Sequence, residues 1–490
     1  MEDSDEQTDA LADDTPGARF ERTKRRVGLV LGPVLALALG LAPFGSASPA
    51  LIGLMVLCVT WWLTEALPPA VVALMAAVGA VVLGLATPQV AFAAFGTPLL
   101  FLFVGSFFIA EAMRVHGLGD RIGALVARRA RGRLSFLIAI AVAAFFLSML
   151  MSNAASTAIL LPIALAMAPA HRGDRFGTAL VLVVAWGASI GGLGTPVGTP
   201  PNGFGINELR QRGLELGFVE WMAIGVPMGM VMLVGLVAIV AAFYGIRPNQ
   251  PLPRDVAMTE ARPWSRGEKA VVIVFCVAII GWLAPTISSL LPSARATAWL
   301  AKHLTEEVVA LTAGCLLFVL PGHGVGKARR PALTWSEATR IEWGVILLFG
   351  GGVLLGTLGK STGLAEQWGR ELVDATGASS TWTITALVTA TSIILSEATS
   401  NTATASMMAP LAGALAVAAG AAPIPAVLGA TMGASFGFMM PISTAPNAMA
   451  YATRRVTVGQ MVRTGIVFDV IGFLLIIATL RVMCPLMGWT

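Results

Sequence analysis

The chain is laid out as apolar blocks of roughly 20 residues, beginning at Val27 and recurring to its end, with short polar or basic stretches between them. Blocks of this length match the hydrocarbon thickness of a bilayer. They are continuous rather than alternating, which predicts helices and not the strands of a barrel. Spans fall near 27–43, 50–67, 70–86, 97–113, 177–208, 219–245, 268–291, 303–320, 342–358, 424–453 and 459–485. Two further apolar stretches, 134–170 and 378–422, are about twice one span and are polar at their middles. The first holds Ser148, Ser152, Asn153, Ser156 and Thr157; the second holds Ser396, Glu397, Thr399, Ser400, Asn401, Thr402 and Thr404. Two full crossings would leave each polar cluster in the far headgroups, whereas a re-entrant hairpin would bring it near the midplane. The charges at the flanks permit both.

Charge then orients the chain. Only 12% of the 490 residues are charged, about half the share in a soluble domain. Basic residues cluster in short loops: Arg22 to Arg26, Arg128 to Arg133, Arg172 and Arg175, Arg247 to Lys269, Lys327 to Arg330, and Arg454 with Arg455. Placing all of them in the cytoplasm puts the N-terminus inside and the C-terminus outside an inner membrane. The first double-length stretch then enters from the cytoplasm, between Arg133 and Arg172. The second has no basic flank and enters from outside. A net charge of +5 distributed in this way reports topology, not nucleic-acid binding.

Residues 1–26 read as a disordered cytoplasmic tail without a signal-peptide layout. Residues 114–133 and 362–376 read as helices lying along the membrane surface. Trp61, Trp62, Trp335 and Trp343 read as an interfacial belt, with Glu65 anchoring nearby. The four cysteines are scattered through apolar segments and form no metal or disulfide pattern.

The two polar middles repeat one another. Ser148-Met-Leu-Met-Ser152-Asn153-Ala154-Ala155-Ser156 superposes without a gap on Ser396-Glu-Ala-Thr-Ser400-Asn401-Thr402-Ala403-Thr404. Each is followed at a similar distance by a second shared element, Gly198-Thr199-Pro200-Pro201-Asn202 and Ser443-Thr444-Ala445-Pro446-Asn447. Opposite flank charge makes this an inverted-topology repeat, an architecture of secondary carriers in which broken helices meet at the midplane. The repeat also selects re-entrant hairpins: a polar tip at depth is useful where it meets a broken helix.

Hydroxyls, amides and unwound carbonyls are hard, weakly charged oxygen donors suited to sodium. One sodium site is expected at Ser148, Ser152, Asn153 and the carbonyl of Gly198, and another at Ser396, Asn401 and the carbonyl of Ser443. Half-helix N-termini favour anions. Ser152, Asn153, Thr199, Ser400, Asn401, Thr402 and Thr444, with Pro200 opening a half-helix, are expected to hold substrate carboxylates. No Lys or Arg falls in these segments, so a dianion would be bound by neutral donors beside bound cations. Such a site couples the two ligands reciprocally. Glu397 either braces its tip or touches ion or substrate.

These motifs, with Trp61-Trp-Leu-Thr-Glu-Ala, Gly191-Gly-Leu-Gly-Thr-Pro and Gly267-Glu-Lys269, resemble the divalent anion:sodium symporter family over nearly the whole chain after the tail. The resemblance implies an all-α polytopic homodimer, each protomer with a scaffold and an elevator-type transport domain, roughly eleven spans and two re-entrant hairpins. It implies sodium-coupled carriage of a C4-dicarboxylate such as succinate, malate or fumarate. Two positions depart from the family: Ala154 lacks a hydroxyl expected beside a substrate carboxylate, and Ala445 stands where proline is usual. Sodium-independent exchange of dicarboxylates, and citrate or sulfate as substrate, are the alternatives within the family. An intramembrane enzyme is disfavoured because His116, His171, His303 and His323 lie far in sequence from the polar tips and no His-Glu-x-x-His occurs. A channel is disfavoured by the paired opposing tips.

Overall fold

The computed structural model describes residues 16–41, 48–169, 171, 173–252, 263–289, 294–323, 330–364, 367–368, 370–371, 374, 377 and 380–490. These residues are almost entirely helical. In chain order the helices are α1 (Pro16–Gly40), α2 (Pro49–Thr64), α3 (Pro69–Val82), α4 (Pro88–Ala93), α5 (Pro98–Val115), α6 (Leu118–Arg129), α7 (Arg133–Ser148), α8 (Asn153–Met167), α9 (Arg175–Gly192) and α10 (Pro200–Gln211). Then follow α11 (Phe218–Tyr244), α12 (Arg266–Ser289), α13 (Ala294–His303), α14 (Glu306–Leu316), α15 (Trp335–Ala338), α16 (Trp343–Ser361), α17 (Thr381–Ala398), α18 (Asn401–Ala418), α19 (Pro423–Gly433), α20 (Ala445–Ala452) and α21 (Val458–Leu486). A small antiparallel pair, β1 (Pro321–His323) and β2 (Arg330–Pro331), lies between α14 and α15.

Among the described residues, six helices are long and apolar enough to cross a membrane. Large apolar side chains stand outward on α11 (Val231, Val234), α12 (Ile273, Ile280) and α21 (Val470, Leu474). A water-soluble surface would not carry such stripes. The helices α7 and α8 have 16 and 15 residues. At 1.5 Å per residue they are about 24 Å and 22 Å long, short of the roughly 30 Å hydrocarbon core.

The path of the chain is fixed by contacts at the helix ends. The Arg133 guanidinium, opening α7, lies over the Phe176 ring near the start of α9, at 5.1 Å. Arg455, just past α20, donates to the carbonyls of Pro169 (2.6 Å) and His171 (3.0 Å), just past α8. The open end of the α7–α8 pair therefore also holds the start of α9 and the end of α20. At the open end of the α17–α18 pair, Ala422 N–H meets the Thr381 hydroxyl at 3.4 Å, joining the starts of α17 and α19. Arg212, just past α10, pairs with Glu208 beside Gly413 in the far half of α18. Thus α9 and α10 carry the chain from one open end to the other, and α19 and α20 carry it back. Helix α10 packs on α18, and α20 packs on α8 and α9.

Several expectations shift. The first helix begins at Pro16 and takes in residues 16–26, assigned above to the tail; residues 1–15 lie outside the described residues. The surface helix expected over 362–376, and residues 378 and 379 opening the second hairpin, lie partly outside them too. Trp61 and Trp62 are not belt residues: both are buried, donating from Nε1 to the carbonyls of Gly28 (3.1 Å) and Pro69 (3.2 Å). Their indole N–H groups are satisfied by protein rather than by headgroups. Trp335 and Trp343 are exposed, as a belt requires.

Candidate functional site

Each polar tip is a break between two helices, and each is built by the same bonds. In the first, Ser148 Oγ donates to Asn153 Oδ1 at 2.7 Å, and Ser152 caps α8 by accepting from Ala155 N–H at 3.3 Å. In the second, Ser396 Oγ donates to Asn401 Oδ1 at 2.8 Å, and Ser400 caps α18 by accepting from Ala403 N–H at 3.3 Å. A serine at the N-cap satisfies one of the free amides of the new helix and leaves the others turned into the break.

The facing breaks match as well. Asn202 Nδ2 donates to the carbonyls of Gly192 (2.8 Å) and Thr195 (2.7 Å). Asn447 Nδ2 donates to Gly437 (2.7 Å) and Met440 (2.9 Å), at identical sequence offsets. Both asparagines are fully buried. They tie the unwound segments 193–199 and 434–444 into closed loops, so that the backbone there stays ordered without helix bonds. Gly198 is held so close that a Cβ would lie 2.6 Å from the Gly192 oxygen and 3.0 Å from the Ser148 oxygen. Only glycine lets the first tip and first break touch.

Thr199 and Thr444 are N-caps of α10 and α20; Thr444 also accepts from Asn447 N–H at 3.2 Å. Pro200 stands at the first turn of α10, where its missing N–H costs nothing. Thr402 is partly buried in the first turn of α18. The sequence-derived candidates thus assemble as two groups: Ser148, Ser152, Asn153, Gly198, Thr199 and Pro200 at one tip, and Ser396, Ser400, Asn401, Thr402, Ser443 and Thr444 at the other. Four helix N-termini open at these two groups.

The tips are braced differently. In the first, Thr195 Oγ1 donates to the Met149 carbonyl at 2.6 Å. At the position matching Met149 stands Glu397. Its carboxylate accepts from Met439 N–H (2.8 Å), Met440 N–H (3.1 Å) and Ser443 Oγ (2.9 Å). Of the two roles expected for Glu397, the geometry is that of a brace. Two donors of Asn447 and one acceptor are used, the acceptor by Trp186 Nε1 at 3.1 Å. The matching Oδ1 of Asn202 is buried without a partner.

The oxygens fit small hard cations. Thr399 Oγ1 lies in the second tip between Ser396 and Asn401, 2% exposed and without a hydrogen-bond partner. Ser156 Oγ and Thr404 Oγ1, at matching positions in α8 and α18, are also fully buried and unpartnered. Membrane hydroxyls ordinarily bond the carbonyl one turn back; these do not. A cavity of 290 Å³ borders the first tip, lined mainly by apolar groups including Met149, Val197, Phe218, Phe275 and Trp282.

Sequence reasoning missed the bracing role of Asn202 and Asn447, although their shared spacing after Thr-x-Pro was visible. It missed Asp469 in α21, 4% exposed, which stood as a lone acid in an apolar span and so met the rule for intramembrane function.

A polytopic helical body with two matched helix breaks is that of a membrane transport protein. Comparison with known proteins agrees. The chain belongs to the citrate transporter family (CitMHS), which matches residues 59–428 and 296–490. It is 32% identical to the sodium-dependent dicarboxylate transporter SdcS of Staphylococcus saprophyticus, covering 94% of this chain and 91% of that one. It is 31% identical to the SdcS of Staphylococcus aureus strain USA300, over 94% and 91%. Among solved structures it resembles the YdaH transporter of Alcanivorax borkumensis (TM-score 0.56, 15% identity, 84% of this chain and 88% of that one). It also resembles MtrF of Neisseria gonorrhoeae (TM-score 0.56, 13% identity, 94% of each). These two likenesses concern the fold. The resemblance to the divalent anion:sodium symporters holds, and the class is transport, not catalysis.

Proposed function

We propose that the chain is a secondary carrier that takes up a C4-dicarboxylate together with sodium. The observation that carries this reading is the doubled tip: two Ser–Asn pairs and two Asn-tied breaks, with four helix N-termini and no Lys or Arg. Such a site favours a dianion only when cations are present, because the amide dipoles alone supply about half a charge per helix end. Sodium is held by Ser148, Ser152, Asn153 and the Gly198 carbonyl at one tip. At the other it is held by Ser396, Asn401 and the Ser443 carbonyl. The substrate carboxylates take hydrogen bonds from Ser152, Asn153, Thr199, Ser400, Asn401, Thr402 and Thr444 around the opening of α10 at Pro200. The names of the two SdcS relatives support both ligands.

The two halves form an inverted repeat across the bilayer, and the pairs α7–α8 and α17–α18 are re-entrant hairpins. The short lengths of α7 and α8, the bonds shared by the two tips and the reciprocal path of the chain support this. An elevator motion of these elements against the remaining helices, in a homodimer with the N-terminus cytoplasmic and the C-terminus outside, follows the family resemblance and the basic loops.

The test is labelled succinate uptake into proteoliposomes. Uptake rises steeply with outside sodium, and Asn153→Ala and Asn401→Ala each abolish it while elution volume stays that of the wild type. Uptake unchanged when choline replaces sodium, and dependent instead on dicarboxylate inside the vesicle, would make the chain an exchanger. Competition by citrate, sulfate or fumarate ranks the substrate.

A further inference from the structure

Packing divides most of the helices into two sets. Helices α7 to α10 and α17 to α20, which carry the tips and breaks, pack on one another, and α11 and α21 pack on them and on each other. In the other set α1, α2 and α3 pack in chain order, α3 lies on α16, and α14 lies on α5 and α12. Between the sets, α18 touches α2 and α16, α10 touches α16, and α11 touches α12.

One junction between the sets is polar. Glu306, opening α14, grips the first set at two points. Its carboxylate accepts from the Arg210 guanidinium near the end of α10, at 3.3 Å, and from the Phe218 N–H that opens α11. Arg210 also reaches Glu307, at 4.0 Å. The Phe218 ring stacks on Trp282 of α12 with centroids 4.3 Å apart, and the Trp282 indole N–H donates to the Glu306 carbonyl at 3.0 Å. Lys360 of α16 adds a further tie, donating to the Gln211 carbonyl at 2.9 Å. Arg212, two residues past Arg210, instead pairs with Glu208 inside its own set, against Gly413. The end of α10 is thus held on both sides, by its own set through Arg212 and by the other set through Arg210 and Gln211.

These contacts are strong and short in reach. Glu306 stands in the first turn of α14 and accepts from the first turn of α11, so two helix N-termini favour its charge. Its side chain is 15% exposed, which limits screening by salt. A slide of one set past the other by a single helical turn, about 5.4 Å, would part every one of these bonds. Phe218 and Trp282 also line the 290 Å³ cavity that borders the first tip at Met149. We propose that Glu306, Trp282 and Lys360 form a latch that seizes the moving set where α10 meets α11 and holds the carrier in one of its two orientations, so that each turnover opens and remakes it. The proposal rests on the carrier reading with its sliding motion, and names what biases the resting position. Glu306 is a positioning residue in it.

Two measurements test the latch. In wild type the Phe218 amide is covered by the Glu306 carboxylate. Glu306→Ala should speed hydrogen exchange of residues 214–219 by about tenfold; an unchanged rate would overturn the grip, and this arm needs no transport. The second arm leaves the latch residues in place. Gln211→Cys and Ser361→Cys are made together in a Cys276→Ala, Cys315→Ala background, because those two native cysteines are exposed. A bifunctional methanethiosulfonate reagent should join the pair, stop succinate uptake and release it on reduction, while each single-cysteine protein keeps its uptake after the same treatment. Continued uptake by the joined protein would show that the junction never parts, and would overturn the latch. Wild type that takes up no succinate would count against the carrier reading, and the exchange arm would still decide whether Glu306 holds α11.

Discussion

The closed loops at the two helix breaks make a quantitative comparison possible. Asn447 bonds two backbone carbonyls and accepts from Trp186, whereas Asn202 bonds two carbonyls and has a free Oδ1. Leucine keeps the branched heavy-atom skeleton and has none of the polar atoms. Asn202→Leu orphans two buried carbonyls, at roughly 1–3 kcal/mol each, or about 2–6 kcal/mol in all. Asn447→Leu orphans a buried indole N–H as well, for about 3–9 kcal/mol. Both ranges reach into the whole stability of an ordinary domain. The expected order is therefore wild type, then Asn202→Leu, then Asn447→Leu, both in the fraction of monodisperse protein and in the temperature of unfolding followed by fluorescence-detected size exclusion. Sodium dependence of uptake should weaken in whatever fraction remains folded, since Gly198 and Ser443 lie in the loosened loops. If Asn447→Leu proved as stable as wild type, or less perturbed than Asn202→Leu, the bracing argument would be wrong.

Gly198→Ala places a methyl carbon against two backbone oxygens, 2.6 Å and 3.0 Å away; uptake should be lost, and a fully active variant would separate the first break from the first tip. A pH effect is expected outside the membrane at Glu337 in α15. Burial pushes its carboxyl up, but the Thr334 N–H, the Arg330 guanidinium and the Thr334 hydroxyl outweigh this and hold it at about 2. Its folded pKa lies below the unfolded one, so its contribution is present above about pH 4.5 and is lost as pH falls toward 2. Hydrogen-exchange protection of residues 330–338 should fall across that window in wild type, and be low and pH-insensitive in Glu337→Gln; equal protection in both would contradict the assignment.

Much of the site was legible because chemistry and spacing coincided. Ser148 with Asn153 and Ser396 with Asn401 are five residues apart in both tips, and a short break between helices brings such pairs within bonding distance. The Thr-x-Pro-Asn spacing likewise marked both breaks. What escaped was whatever depends on packing between distant segments. Trp61 and Trp62 have the composition of a belt but lie against α1 and the start of α3. The burial of Asp469 depends on how α21 leans on α11, α17 and α19, and no local pattern records that. Glu397 and Thr195 do equivalent bracing work with unlike groups, one with a side-chain acceptor and one with a side-chain donor, so aligning identical residues could not pair them.

Helix α9 has a consequence for biosynthesis. Every residue from Phe176 to Gly192 is buried, and the acceptor for its indole at Trp186 lies 261 residues later. The segment must therefore leave the ribosome with α7 and α8 already made but long before its later partner α20 exists. Insertion and assembly are consequently separate stages, and a chain arrested before residue 447 would hold its most deeply packed helix in a provisional place.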